Sequence, residues 1–309
     1  MLKSVFYFVI FPGFLFTAVV GLLVSWIDRK VTARVQWRVG PPWWQNFADF
    51  VKLLGKETII PQGTSRFHFI TPPLLSISAI TLVSTLLWVM LINPHKSFLG
   101  DLIVVVYLLM MPAMAVVMGG AASGNPLASM GASREMKLVL GYELPFVLAL
   151  IVPIIKTDTI RLGEMIRFQA EDGVVIGSWS GIIAFLVAIV CMQAKLTLVP
   201  FDIPEAETEI MSGPYIEYSG PALAMFKLTR AMMLFVLPVF LVLVFWGGFG
   251  QGSFWSVLLG ILKYVVLLVV IVLIRNTNPR LRIDQAMRFF WGLVTGVATL
   301  AIILALIGA

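Results

Sequence analysis

The chain has 309 residues, of which 60% are hydrophobic and 12% are charged, and its mean hydropathy is +0.98. Soluble domains carry about 25% charged residues, so this composition excludes an ordinary soluble domain and indicates that the solvent is largely lipid. It also excludes a disordered or collagen-like chain. The net charge of +6 is modest, and basic loops on the cytoplasmic side of a membrane explain it better than nucleic-acid binding.

Eight apolar runs are long enough to cross a membrane, for which about 20 residues are needed. They predict an all-α protein with a single membrane domain, residues 1–309, whose eight spans lie at about 4–27, 70–92, 102–120, 138–155, 178–199, 222–246, 254–274 and 289–308. The first run is interpreted as a span and not as a cleaved signal, because no small-residue cleavage site precedes the charged residues 28–30.

Residues 43–56 are too few to cross the membrane but carry a helical pattern. Their apolar residues recur at helical spacing, namely Trp43 or Trp44, Phe47, Val51 and Leu54. The pattern predicts an amphipathic helix in the membrane interface, with two interpretations open: a membrane anchor, or a functional element beside the first span, either a gate or a docking ledge. The loop 156–177 is expected only to connect two spans.

Basic residues set the expected orientation of the chain in the cell membrane. Loops 28–66, 121–137 and 275–288 hold seven, two and four Lys or Arg residues, whereas the opposite side holds five. Because Lys and Arg are retained on the cytoplasmic side, we expect both termini of this multi-pass protein on the extracytoplasmic side.

The sequence contains few residues that could bind a metal or form a disulfide. Cys191 is the single cysteine, so no intrachain disulfide can form and an ordinary iron–sulfur cluster lacks its thiolates. His68 and His95 do not have the spacing of metal ligands. We therefore expect this chain to hold no cofactor, metal or catalytic residue, and any electron carrier to lie in another subunit.

Ionisable side chains inside the predicted spans are the most informative feature. Each costs about 2.5–3.5 kcal/mol on insertion scales, so it normally faces other helices or water. Glu143 lies within the fourth span and Glu135 about two helical turns before it, and we expect the two carboxyl groups to line one water-filled face. Lys195 is placed to meet nearby acids, either in a relay or in a fixed ion pair, and a fixed ion pair is the expectation for Lys263.

The segment 200–221 is acidic and contains no Lys or Arg. Its acids are Asp202, Glu205, Glu207, Glu209 and Glu217. One interpretation is structural, with Asp202 capping a helix that has Glu205 at its third position. The other is a proton relay, since Glu205 and Glu209 are expected on one helical face, where like charges repel and favour protonation.

The motifs reached so far resemble one family over the whole chain. DRKV at 28–31, RVQWRVGP at 34–41 and DFVKLLGKE at 49–57 are similar to the first cytoplasmic loop of the complex I subunit that joins the membrane arm to the peripheral arm. PFD at 200–202, ExExE at 205–209, SG at 212–213 and EYSG at 217–220 resemble that family's acidic third cytoplasmic loop. GNP at 124–126 and GASREM at 131–136, with Lys227 and Arg230, are more similar to energy-converting membrane-bound nickel–iron hydrogenases and formate hydrogenlyase.

The resemblance implies a non-catalytic subunit of a redox-driven ion pump. It implies iron–sulfur clusters and a nickel–iron centre in hydrophilic partner subunits, antiporter-like membrane partners, and ferredoxin as electron donor. It places these docking residues beneath the hydrophilic arm: Arg29, Lys30, Arg34, Arg38 and Arg134. It places these residues on a proton path, with Lys195 beside them: Glu135, Glu143, Asp202, Glu205, Glu207, Glu209 and Glu217.

Three alternatives stay open. Within the family these are a sulfur-reducing relative and a quinone-reducing complex I, and the transported ion is either a proton or sodium. An alternative of another class is a stand-alone secondary transporter. Transporters commonly show paired repeats and broken spans in matching positions, and the sequence shows neither.

Overall fold

A computed structural model of the chain describes residues 2–250 and 254–308, with the backbone alone described at 2–4, 207 and 208. Within these ranges every regular element is helical. Among the described residues, seven helices are long and apolar enough to cross a membrane, and a shorter apolar helix of 17 residues accompanies them. The predicted all-α, multi-span membrane fold is confirmed.

The α-helices follow in chain order. They are α1 Leu2–Val9, α2 Phe14–Val35, α3 Gln45–Leu54, α4 Arg66–Ile92, α5 Asp101–Ala122, α6 Pro126–Thr157, α7 Leu162–Glu171, α8 Trp179–Lys195, α9 Glu207–Ile210, α10 Gly220–Phe245, α11 Phe254–Thr277, α12 Ile283–Arg288 and α13 Thr295–Ile307. A π-helical stretch, Phe289–Val294, joins the last two into one span. The amphipathic helix predicted at 43–56 corresponds to α3.

The first membrane segment differs from the uninterrupted run expected at 4–27. It is divided between α1 and α2, and the interruption contains Pro12, which has no N–H with which to continue the helical hydrogen-bond ladder. α2 then continues past the predicted end to Val35. Asp28 and Arg29 therefore lie on the membrane helix itself and not in a loop.

α10 is the central helix of the bundle. In the 18-residue apolar stretch of this helix, 94% of the residues are buried inside the protein, against 28–56% in the corresponding stretches of the other candidate spans. It packs against α2, α4, α8 and α11. A helix that is hydrophobic all round is suited to such a position, because protein and not lipid covers each of its faces.

The segment 156–177 does more than connect two spans, so that expectation is wrong. It contains α7, which buries Leu162, Met165 and Ile166. Asp101 at the start of α5 accepts a hydrogen bond from the backbone N–H of Leu162 at 2.8 Å. This carboxylate therefore caps α7 from a different helix and fixes the two together.

The segments between spans at the predicted cytoplasmic end pack on one another. The N–H of Leu281 donates to the carbonyl of Pro200 at 3.0 Å, and Asn125 Nδ2 donates to Glu217 Oε1 at 2.6 Å. α8 ends at Lys195 after 17 residues, about 25 Å, which is less than a hydrocarbon core of about 30 Å. α8 by itself is thus too short to span such a core.

Candidate functional site

A cavity of about 420 Å³ lies at this end, between α2, α3, α10, α11 and the segment after α8. Its lining includes nine charged side chains: Asp28, Arg29, Asp49, Asp202, Glu205, Lys227, Arg230, Arg275 and Arg280. Pockets for small organic ligands are lined mainly by apolar and aromatic side chains with few polar groups. The lining of this cavity suits water and ions better.

Eight of the nine charges form ion pairs across the cavity wall. The pairs are Asp28–Arg275, Glu205–Arg230, Asp202–Arg280 at 2.7 Å and Arg29–Asp49 at 3.6 Å. Arg275 lies near the end of α11, Arg280 follows that helix and Arg230 belongs to α10. Asp202 and Glu205, whose segment 200–221 contains no Lys or Arg, thus obtain their cations from other parts of the chain.

Asp202 does not cap a helix with its side chain, so the structural interpretation of this residue is wrong. The 3-10 turn Ile203–Glu205 follows it, without a side-chain capping hydrogen bond. Asp202 instead pairs with Arg280, while its Oδ1 atom is buried and finds no hydrogen-bond partner among the described residues. Burial raises the pKa of Asp202, and the nearby Arg280 opposes that rise.

Glu205 and Glu209 do not share a helical face, because the chain turns at Ala206 between the 3-10 turn and α9. Glu205 pairs with Arg230, and the exposed Glu209 pairs with Arg134 at 2.6 Å. The expected repulsion between the two acids is therefore wrong, since each has its own cation. The side chain of Glu207 lies outside the described residues.

A void of about 40 Å³ also adjoins the Glu205–Arg230 pair and shares both residues with the lining of the cavity. Its polar lining includes Ser76, Glu135, Lys195, Thr197, Glu205, Tyr215, Thr229 and Arg230. Glu135 is 2% exposed, and neither its Oε2 atom nor Ser76 Oγ has a hydrogen-bond partner among the described residues. One water needs about 10–15 Å³, so the void has room for about three.

Lys195 is buried at the end of α8 and pairs with Glu143, not with the acids of 200–221. Its ammonium group lies 4.9 Å from the ring centroid of Phe146 and 5.3 Å from that of Tyr142, positions that favour a cation. Glu143 is near the midpoint of α6 and its side chain is 16% exposed. Glu135 lines the void but Glu143 does not, so the expected single water-filled face is replaced by two sites joined through Lys195.

Two further predicted residues differ in their surroundings. Glu217 accepts a hydrogen bond from Asn125 at the start of α6. Lys263 donates to the backbone carbonyl of Trp246 at 2.6 Å, at the end of α10. The ion pair expected for Lys263 is therefore wrong, since this cation satisfies a helix-terminal carbonyl.

Four of the five predicted docking residues lie on or just after the end of α2, and the fifth, Arg134, lies on α6. Arg34 and Arg38 are exposed, Lys30 is half-buried, Arg134 is held by Glu209, and Arg29 donates to Asn46 of α3. Between Arg34 and Arg38, Trp37 is 98% exposed. Trp37 is not one of the predicted docking residues, although an aromatic residue between two arginines is a signal the sequence carries.

Sequence reasoning does not identify three other candidates as site residues. In the sequence analysis, Arg230 serves only to distinguish one branch of the family from the other. Arg275 and Arg280 are only counted among the basic residues that predict the orientation of the chain. Each proves to be the cation of a cavity ion pair. The available signal is the position of these arginines in or beside spans, where a charge requires a partner.

Comparison with known proteins agrees with this architecture. Residues 7–306 match the NADH dehydrogenase family. The H subunit of the NADH-quinone oxidoreductase of Thermomicrobium roseum is 32% identical, with 93% of this chain and 92% of the relative covered. The corresponding subunit of Brevibacillus brevis is 30% identical, with 96% and 92% covered.

A solved structure is similar over nearly the whole chain. It is that of the membrane-bound sulfane sulfur reductase, an archaeal respiratory membrane complex, and a chain of it matches with a TM-score of 0.86 and 30% identity, covering 94% of this chain and 96% of that one. The fold and the matches define a multi-span membrane protein of the complex I-like class. Within that class the chain belongs to the NADH dehydrogenase subunit 1 family, and the resemblance to the complex I subunit inferred from the motifs is confirmed.

Proposed function

We propose that this chain is the membrane subunit of a respiratory, energy-converting complex of the hydrogenase type. It anchors the hydrophilic electron-transfer arm and couples redox chemistry in that arm to the translocation of protons or sodium ions. In this proposal the iron–sulfur clusters and a nickel–iron centre belong to partner subunits, ferredoxin is the electron donor, and the termini face away from the cytoplasm.

One observation carries the proposal: polar sites continue without a break from the charged cavity to the middle of α6. Glu205 and Arg230 line both the cavity and the void. Lys195 lines the void and pairs with Glu143. Each site therefore shares a residue with the next, along a direction that leads into the membrane.

A purely structural use of these charges explains them less well. Buried ion pairs are often no more stabilising than apolar residues of similar volume, so they are weak support for a role in stability. Ionisable side chains within membrane helices generally mark ion routes. Glu135, with an unpaired buried oxygen beside a void that admits water, fits a relay and not a fixed contact.

At the cytoplasmic end, the geometry supports docking of a hydrophilic arm. Arg34, Trp37 and Arg38 project from the end of α2 without burial. Exposed Trp and Arg are the residue types that most often dominate binding energy at protein interfaces. This surface lies next to the cavity, because α3 and α2 contribute Asp49, Asp28 and Arg29 to the cavity lining.

A second candidate is the same role in a sulfur-reducing complex, which the similar sulfane sulfur reductase favours. The relatives named as quinone oxidoreductase subunits favour quinone reduction. Nine charged side chains around the cavity count against that alternative, because an apolar quinone ring and tail would have to displace water from charged groups. A stand-alone transporter agrees less well with a family of respiratory-complex subunits.

The test uses the whole complex, purified in mild detergent through a tag on this chain and reconstituted into vesicles. With reduced ferredoxin as donor, we expect hydrogen as product, coupled to ion uptake, and no stoichiometric bound quinone. Sulfide formation from a sulfane donor would favour the second candidate, and bound quinone the third. Glu143→Gln should abolish coupled ion uptake while the complex still assembles.

The matched control is Glu164→Gln, which changes an exposed acid paired with Arg161 at the opposite end of the molecule. We expect this variant to translocate ions as the unaltered complex does. Undiminished ion uptake per electron in Glu143→Gln would contradict the proposed function. A complex that forms product but moves no ion in its unaltered form would contradict it as well.

A further inference from the structure

We infer that Arg230 is a gate: paired with Glu205 and held by the carbonyl of Thr197, its guanidinium separates the charged cavity from the void that contains Glu135. This inference deepens the proposed function, on which it rests. It assigns to Arg230 the control of ion passage and not a part in the redox reaction.

The first support is the position of the three residues. Arg230 Nη1 donates to the Glu205 carboxylate, and Nη2 donates to the carbonyl oxygen of Thr197 at 3.1 Å. All three residues line both the cavity of about 420 Å³ and the void of about 40 Å³. They therefore form part of the wall between the two spaces.

The second support is the charge of the guanidinium. Arginine is not deprotonated in proteins, so Arg230 cannot relay a proton as a carboxyl group can. A fixed positive charge in a narrow passage is an electrostatic barrier to protons and other cations. As long as Arg230 stays between the cavity and the void, it opposes passage in both directions.

The third support is the backbone of Thr197. Its φ angle is +49°, which is a true outlier for a β-branched residue. Such strain persists only where the surroundings enforce it, and it is concentrated at functional sites. Here the strained residue directs its carbonyl to Arg230, so the wall is held from the end of α8 as well as from the acidic segment.

The fourth support lies beyond the gate. Glu135 Oε2 and Ser76 Oγ have no hydrogen-bond partner among the described residues, and both residues line the void. Buried polar atoms are normally satisfied, and the void has room for water to bridge them. Glu135 is thus the acceptor that a proton meets after passing Arg230.

These contacts define a balanced transfer. A proton from the cavity binds the Glu205 carboxylate, which loses its negative charge and its hold on Arg230. The guanidinium moves aside, and the proton passes from Glu205 through water in the void to Glu135. Glu205, again ionised, recaptures Arg230 and opposes return of the proton. No bond other than those to the proton is made or broken.

The test uses the reconstituted complex and two readouts: passive ion flux without reductant, and ion uptake per electron with reductant. Arg230→Gln should raise passive flux by about tenfold or more and lower uptake per electron, because the cationic barrier is gone. Arg230→Lys keeps the charge but cannot contact Glu205 and the Thr197 carbonyl at the same time as a guanidinium does. Its passive flux and its uptake per electron should lie between those of the unaltered complex and those of Arg230→Gln. Product formation is recorded in the same vesicles, so that ion uptake is expressed per electron transferred in each variant.

Two further variants make the outcome decisive. Arg161→Gln, which breaks an exposed Arg–Glu pair at the opposite end, should leave both readouts unchanged. Adding Glu135→Gln to Arg230→Gln should abolish the leak, because Glu135 lies on the far side of the gate. An assembled Arg230→Gln complex without added flux would overturn the gate, as would a leak that persists in the double variant.

The gate and the proposed function fail differently. Undiminished ion uptake in Glu143→Gln would contradict the ion path as a whole, regardless of the passive flux measured in Arg230→Gln. Abolished uptake in Glu143→Gln together with ordinary passive flux in Arg230→Gln retains the path and removes only the gate.

Discussion

The two ends of the bundle treat buried polar groups differently. At the end away from the cavity, they bind backbone: Asp101 accepts from the N–H of Leu162, Gln169 Nε2 donates to the carbonyl oxygens of Leu243 and Val244, and Lys263 donates to that of Trp246. These contacts hold helix ends. At the cavity end, charges bind other charges.

Among the buried carboxylates, unused hydrogen-bonding capacity follows the same division. Three buried carboxylate oxygens have no partner within the described ranges, and all belong to residues of the cavity or the void: Asp28 Oδ1, Glu135 Oε2 and Asp202 Oδ1. A carboxylate that caps a helix is fully used, whereas one with a free oxygen beside a wet space can exchange partners. The difference separates structural polar groups from those suited to ion movement.

The largest effect that this comparison predicts is at Lys195. Lys195→Ala leaves Glu143 without its cation near the middle of α6, which should cost about 3–5 kcal/mol of stability and abolish coupled ion uptake. The thermal midpoint of the complex and ion uptake into vesicles measure the two losses. Lys195→Gln combined with Glu143→Gln should restore the midpoint and not the uptake; if uptake returns, the pair is structural.

Docking of the hydrophilic arm should depend on Trp37. Trp37→Ala removes a side chain that is 98% exposed in the isolated chain. We expect it to weaken binding of the hydrophilic arm by about 2 kcal/mol or more, as is typical of aromatic residues that dominate an interface. Retention of iron–sulfur subunits during size-exclusion chromatography measures this. Trp179→Ala, an exposed tryptophan at the opposite end, is the control. Equal loss of partners in both variants would argue against a specific docking surface.

At the structural end, Asp101→Ala should lower stability without altering coupling. The change leaves the start of α7 uncapped and the N–H of Leu162 unsatisfied, at a cost of about 1–3 kcal/mol. We expect a lower thermal midpoint and an unchanged ratio of ions to electrons. A changed ratio would show that the division between the two ends is drawn in the wrong place.

The smallest predicted effect is a pH dependence at Asp202. Burial raises the pKa of Asp202 in the folded protein, so its contribution to stability is fully present below the unfolded pKa and is lost as pH rises through the raised value. Asp202→Asn cannot ionise and should flatten this part of the stability curve. Thermal midpoints recorded from acidic to neutral pH test this, and parallel curves for both proteins would contradict it.

The spans could be predicted because lipid imposes a strong requirement on composition, one that long apolar runs satisfy without help from tertiary contacts. Glu143 could be predicted for the same reason, since a charge in an apolar run is costly, and the acids of 200–221 because they cluster without Lys or Arg. The cavity acids Asp28 and Asp49 are not predicted as site residues.

The cations that pair with the acids could not be predicted, because two partners can lie far apart in the chain. Asp28 and Arg275, for example, are 247 residues apart in sequence. Local reasoning also placed Glu205 and Glu209 on one helix, which the turn at Ala206 prevents.

The enclosure of α10 has a consequence for how the protein is made. This helix is surrounded by segments synthesised before it and by α11, which is synthesised after it. Arg275, in the last turn of α11, and Arg280, just after that helix, neutralise Asp28 and Asp202. Asp28 and Asp202 are therefore synthesised well before the arginines that pair with them. The ion pairs of the charged cavity are complete only when nearly the whole polypeptide has been inserted into the bilayer.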